Sequence, residues 1–142
     1  ARLDHGDCHW PNWFVVSRYT VLCALFATHF LPAFAAWQVS GESARAVMYV
    51  DPATVHKSGK IWRAWILIDL KEPESDGYRS LKQFGEYDCQ RWRTRGLQEE
   101  FFAGQMGQGK LVGQTLKPDA WRFASPGTLN DFNLGVICER KK

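Results

Sequence analysis

Apolar positions change their rhythm twice along the chain. Between Arg18 and Ala35 they run almost unbroken, between Ala44 and Ala124 they alternate with polar residues, and after Thr128 they recur every three to four positions. Alternation predicts strands and the last spacing a helix. In Lys60–Leu70, Trp62, Ala64, Ile66, Ile68 and Leu70 share one face, while Arg63, Trp65, Leu67 and Asp69 share the other, the pattern of a central strand. Before it, Ala44–Val50 and Thr54–Lys57 are extended, and Ser58-Gly59 turns the chain into a hairpin. After the polar loop Lys71–Gly77, the segment Tyr78–Cys89 is extended again with Leu81, Phe84 and Tyr87 as packing residues. Arg91–Arg95 continues the sheet after a second hairpin, and Lys110–Leu116 and Ala120–Ala124 supply the last strands. Ser125-Pro-Gly-Thr128 then opens a helix, with Thr128 and Asp131 at capping-box spacing and Leu129, Phe132 and Val136 as the stripe that docks on the sheet. The fold class is α+β, mainly β: an antiparallel sheet with one C-terminal helix on one face.

The unbroken apolar run has a different meaning. Arg18 precedes about a dozen apolar residues, Pro32 ends them, and Ala33-Phe34-Ala35 offers the small side chains that a signal-peptide cleavage site requires. The run is shorter than the roughly 20 residues a membrane span needs, and His29 interrupts it. Residues 1–35 are therefore read as an N-terminal extension and signal peptide, cut after Ala35, and 36–142 as a single exported domain. Upstream, His5, Cys8 and His9 supply three possible metal ligands without a fourth, so no metal site is expected there. Cys23 follows Thr20-Val21-Leu22, which is no lipidation box.

Of 142 residues, 18 are Lys or Arg and 15 are Asp or Glu; removing 1–35 leaves 16 against 13, so the net charge stays at +3. The same removal leaves two cysteines, Cys89 and Cys138, and one histidine, His56. In an oxidising compartment the two cysteines read as one disulfide, closing a loop of roughly 50 residues and adding about 4 kcal/mol; two buried free thiols are the alternative.

Candidate chemistry is sparse. His56, beside a hairpin turn, lacks a partner that would activate it and reads as a surface residue. Glu86 and Asp88 lie two apart on one strand face, the arrangement of a glycosidase acid and base, but they read as alternating solvent-facing charges. Gly104–Gly109 is glycine-rich like a phosphate loop, yet Lys-Ser or Lys-Thr does not follow it and the context is strand, turn, strand, so a turn is expected. Neither an enzyme nor a cofactor is expected.

The surface feature with a direction is basic. Arg91, Arg93 and Arg95 share a strand face, joined by Arg79 and Lys82 from the neighbouring strand, and form a candidate site for an anionic ligand. An ordinary solvated strand face would hold the same residues. Export and a net charge of only +3 argue against nucleic acid, leaving a protein, an anionic polysaccharide or a lipid headgroup as partner.

The ordered set Tyr49-Val-Asp-Pro52, Gly59-Lys-Ile-Trp62, Tyr78-Arg-Ser80, Glu86-Tyr-Asp-Cys89, Gly107-Gln-Gly-Lys110, Trp121, Ser125-Pro-Gly-Thr128 and Val136-Ile-Cys138 resembles the surface-adhesin protein E family of Gram-negative bacteria. The resemblance implies about six antiparallel strands, a C-terminal helix on the concave side, a Cys89–Cys138 disulfide and a capacity to dimerise. It also implies an adhesin-like binding domain in the periplasm, outer membrane or cell surface. A structural or assembly component of the envelope is the alternative reading. The family's namesake is a lipoprotein, and this chain departs from it by lacking a lipidation box.

Overall fold

The computed structural model describes residues 37–139. The signal-peptide reading of 1–35 and the tail 140–142 lie outside them. Eight strands are described, β1 (Gln38–Glu42), β2 (Ala46–Val50), β3 (His56–Ser58), β4 (Ile61–Leu70), β5 (Ser80–Asp88), β6 (Arg93–Phe102), β7 (Leu111–Thr115) and β8 (Arg122–Phe123), followed by the helix α1 (Leu129–Glu139). Six of them run in the order β1-β2-β4-β5-β6-β7, the short β3 and β8 pair with β4 and β6, and each described pairing is antiparallel. The family resemblance implied about six, and the longest path through the sheet has that number.

β4 lies between β2 and β5, and its alternation assigns the faces. Ile66, Ile68 and Leu70 stand opposite Val50, Met48 and Ala46 of β2. Met48, Val50, Ala64, Ile66 and Tyr87 meet Leu134 and Ile137 of α1 to form the buried core, and Ile68 packs against it. Each large apolar side chain taken out of water there contributes about 1.5–3 kcal/mol. Within the core the amide of Asn133 donates to the Tyr87 hydroxyl at 3.3 Å, and burial pushes the Tyr87 phenol up beyond its ordinary range, with the Asn133 bond opposing.

The helix docks one step around from the expected stripe. Leu134 and Ile137 are fully buried, Leu129 and Val136 flank them, and Phe132 stays 45% exposed. The disulfide accounts for the rotation. Cys89, just past β5, bonds Cys138 with a Cα–Cα distance of 5.8 Å, so Cys138 must face the sheet. Leu134, one turn earlier at i−4, and Ile137, beside Cys138, face the sheet with it. Gly41 lets the helix approach β1, because a Cβ there would stand 2.9 Å from Cβ of Phe132.

Half of the capping box forms. Thr128 Oγ1 accepts the Asp131 amide at 3.4 Å, but the Asp131 carboxylate takes the Gly127 amide at 3.0 Å and Trp92 Nε1 at 2.7 Å instead of the Thr128 amide. Trp92 Nε1 and then the Gly127 amide hold that carboxyl below its ordinary range. The indole bond also anchors Trp92, whose φ of 52° is left-handed. The glycine-rich segment is a turn, as expected, with a short 3-10 piece at Gln105–Gly107. Two of its amides are taken by side chains outside the turn: Met106 N donates to Asp69 Oδ1 at 2.8 Å and Gly107 N to Ser80 Oγ at 2.9 Å.

Candidate functional site

On the face of the sheet away from α1, register sets charge against charge. Arg63 of β4 stands opposite Glu86 of β5, which stands opposite Arg95 of β6, and Asp88 stands opposite Arg93. Glu86 Oε1 accepts Arg63 Nη2 at 2.7 Å and Nε at 3.0 Å, and its Oε2 accepts Arg95 Nη2 at 2.7 Å and Nε at 2.8 Å. Asp88 Oδ2 accepts Arg93 Nε at 3.1 Å and Arg91 Nη1 at 3.3 Å, while Oδ1 caps the turn by accepting the Arg91 amide at 3.1 Å. Two carboxylates thus hold four guanidinium groups.

Trp121 lies just before β8. The guanidinium carbons of Arg93 and Arg95 each stand 4.6 Å from the centre of its ring, a cation–π arrangement that fixes both side chains. The expected strand run of three arginines is corrected in one respect: Arg91 lies in the turn between β5 and β6, with its side chain 65% exposed, and only Arg93 and Arg95 belong to the strand. Lys82 lies on the same face of β5 but four residues from Glu86, about 13 Å along the strand, and its Nζ stands 5.0 Å from the centre of the Phe102 ring. Arg79, just before β5, donates to the Lys71 carbonyl at 3.3 Å. The five predicted residues therefore divide into a cluster of Arg91, Arg93 and Arg95 and two outliers, Arg79 and Lys82.

Glu86 and Asp88 are not solvent-facing charges: they are 5% and 1% exposed. Burial alone would push the Glu86 carboxyl up, but Arg63 and Arg95 outweigh it and hold it below the usual carboxylate range. For Asp88, burial is likewise outweighed, by the Arg91 amide and the Arg93 and Arg91 side chains. A general acid must keep a proton near its working pH, and paired guanidiniums remove the proton from both groups. His56 is exposed, with Nδ1 2.8 Å from the Thr54 carbonyl.

Sequence reasoning did not find Arg63 or Trp121. Arg63 was legible as facing away from the apolar side of β4, but nothing local sets it opposite Glu86. Trp121 is 26 residues from Arg95, and only the pairing of β8 with β6 brings them together.

A second feature, also unforeseen, lies on the helix face. Beyond the first turn of α1 a cleft of about 430 Å³ opens over Ile68 and Leu81, bordered by Tyr78, Phe101, Glu99 and Asn130. A smaller cleft of about 290 Å³ lies on the other side of Tyr78 and Phe101. Among the described residues no set of three His, Cys, Asp or Glu side chains is placed to hold a metal ion, and no helix is long and apolar enough to cross a membrane.

The fold is similar to solved structures of protein E from Haemophilus influenzae. One has a TM-score of 0.54 and 14% identity, covering 71% of this chain and 89% of that chain. A second crystal form of that protein has a TM-score of 0.52 and 16% identity, covering 71% and 92%. No curated protein matches the sequence. The model of the family described as surface-adhesin protein E matches residues 37–139, a span that includes the whole described sheet, the helix and both bridged cysteines, and the chain belongs to that family.

Proposed function

We propose that this chain is an exported, adhesin-like protein of the Gram-negative cell envelope whose arginine face binds an acidic ligand, either an anionic polysaccharide or an acidic protein segment. The observation that carries the reading is the charge balance of the Glu86–Asp88 cluster: four arginines against two carboxylates leave +2 on one patch. The carboxylates are buried, so they hold the guanidiniums in place while the exposed N–H groups of Arg91 and Arg63 remain toward solvent. Side chains already ordered lose less entropy when they bind. The exposed Phe123, opposite Arg93, adds an apolar contact beside the cluster. A homodimer, which the family resemblance implies, would present two such faces and raise the apparent affinity.

The test is retention of the purified protein on immobilised heparin, an anionic polysaccharide probe, with labelling of intact producing cells by an antibody. Retention that weakens with added salt and falls on Arg91→Ala together with Trp121→Ala, with antibody reaching intact cells, supports the reading. Retention indifferent to both substitutions would place the ligand elsewhere. Labelling only after the outer membrane is opened would remove the surface assignment.

A further inference from the structure

The helix-face cleft differs chemically from the arginine face. Its volume, about 430 Å³, falls in the range of about 300–1,000 Å³ usual for ligand sites. Tyr78 and Phe101 meet edge to face with centroids 5.0 Å apart and stand between the two clefts, the smaller of which adds Asp76. Gln83 Nε2 donates to Glu99 Oε1 at 2.5 Å, and Gly96 leaves the room for it, since a Cβ there would stand 2.7 Å from that nitrogen.

The charges in the cleft are unevenly satisfied. Asp119 is balanced by Arg122 at 3.7 Å, and Arg95 is engaged by Glu86. Glu99 forms no ion pair with a Lys or Arg among the described residues; its partner is the neutral Gln83 amide. The field around the rings is also negative: after burial, the charges of Glu74, Asp76 and Glu99 raise the Tyr78 phenol above its ordinary range, with Arg45 opposing. An aromatic pair beside an uncompensated carboxylate is the environment that favours an ammonium or guanidinium group.

We propose that this cleft binds a basic segment of a partner protein, with one Lys or Arg side chain held between the Glu99 carboxylate and the Tyr78–Phe101 rings. Charge complementarity selects this occupant: an acidic segment would meet Glu99 and Asp76, while both arginines bordering the cleft are already paired. The site shares Arg95 with the arginine cluster as a bordering residue, but Glu99 and the Tyr78–Phe101 rings lie on the opposite face and select a ligand of opposite sign.

Titration of the purified protein with tetralysine, followed by backbone amide chemical shifts, tests the proposal. Saturable shifts centred on Tyr78, Glu99 and Phe101 are expected, weakened about tenfold by Glu99→Gln and unchanged by Arg91→Gln on the opposite face. Phe101→Leu, which keeps an apolar side chain but removes the ring, weakens binding several-fold while the melting temperature reports that the fold persists. Tetraglutamate leaves these amides unmoved. Equal tetralysine affinity in wild type and Glu99→Gln, no saturable binding, or the same shifts with tetraglutamate or a neutral oligosaccharide would overturn the proposal.

Discussion

On the helix face, Leu134 and Ile137 close over Met48, Val50, Ala64 and Ile66, a cluster without a formal charge. On the arginine face, Glu86 and Asp88 are almost as deeply buried, but beneath guanidinium groups. The contrast separates two kinds of stabilisation within one sheet. Apolar burial contributes in proportion to area and is insensitive to pH. A buried ion pair returns little net stability when intact, because desolvation offsets attraction, yet costs much when one partner is removed. The helix face therefore carries the larger apolar core, whereas the arginine face, beside the buried Leu67, holds charged side chains in a fixed array. An array of that kind suits binding more than it suits stability.

The comparison breaks most severely at the disulfide. Replacing Cys89 and Cys138 by Ser removes a cross-link across 49 residues and is expected to lower unfolding free energy by about 4 kcal/mol, measured by urea denaturation; a loss within error of zero would mean that the helix holds its face by packing alone. Leu134→Ala attacks the same face without touching the bridge and is expected to cost about 3 kcal/mol. Its effect should be nearly the same at pH 4 and pH 7, as expected for an apolar core.

Glu86→Gln attacks the other face. It leaves Arg63 and Arg95 without their shared carboxylate, and because both guanidiniums are about a third exposed the expected cost is about 2 kcal/mol, below that of a fully buried pair. The pH dependence follows from the depressed carboxyls of Glu86 and Asp88. Both ionise at lower pH folded than unfolded, so their stabilisation is fully present above the ordinary carboxylate value of about 4 and is lost as pH falls through the lower folded values. Thermal melts below pH 4 should show this loss in wild type and a smaller one in Glu86→Gln. Equal slopes in the two proteins would mean that Glu86 does not contribute to the acid response.

The same contrast explains what could be read from the sequence. Alternation along β4, the Ser58-Gly59 hairpin, the terminal helix and the cysteine pair were legible, because each rests on local period, turn chemistry or counting. The helix stripe was displaced, with Phe132 outside and Leu134 inside, because local spacing leaves the rotation of a helix open and the Cys138 bridge closes it. Glu86 and Asp88 were misplaced as solvent-facing because a charge on the second face of a strand looks the same in sequence whether it meets water or an arginine on a neighbouring strand. Glu99 shows another limit. A bulge between Phe84 and Gly85, against Gly96 and Gln98, shifts the register of β6 against β5, so Glu99 joins the helix face although Arg93 and Arg95 lie on the other. Strict alternation from Arg95 would have put Glu99 with the arginines.

Calorimetric titration with heparin, comparing wild type, Arg91→Glu and Glu99→Gln, tests the account most directly. Arg91 is the most exposed member of its cluster, so its reversal should leave folding within about 1 kcal/mol of wild type. The account predicts at least about tenfold weaker heparin binding for Arg91→Glu and unchanged binding for Glu99→Gln on the opposite face. Equal affinities for wild type and Arg91→Glu, or a loss confined to Glu99→Gln, would contradict it.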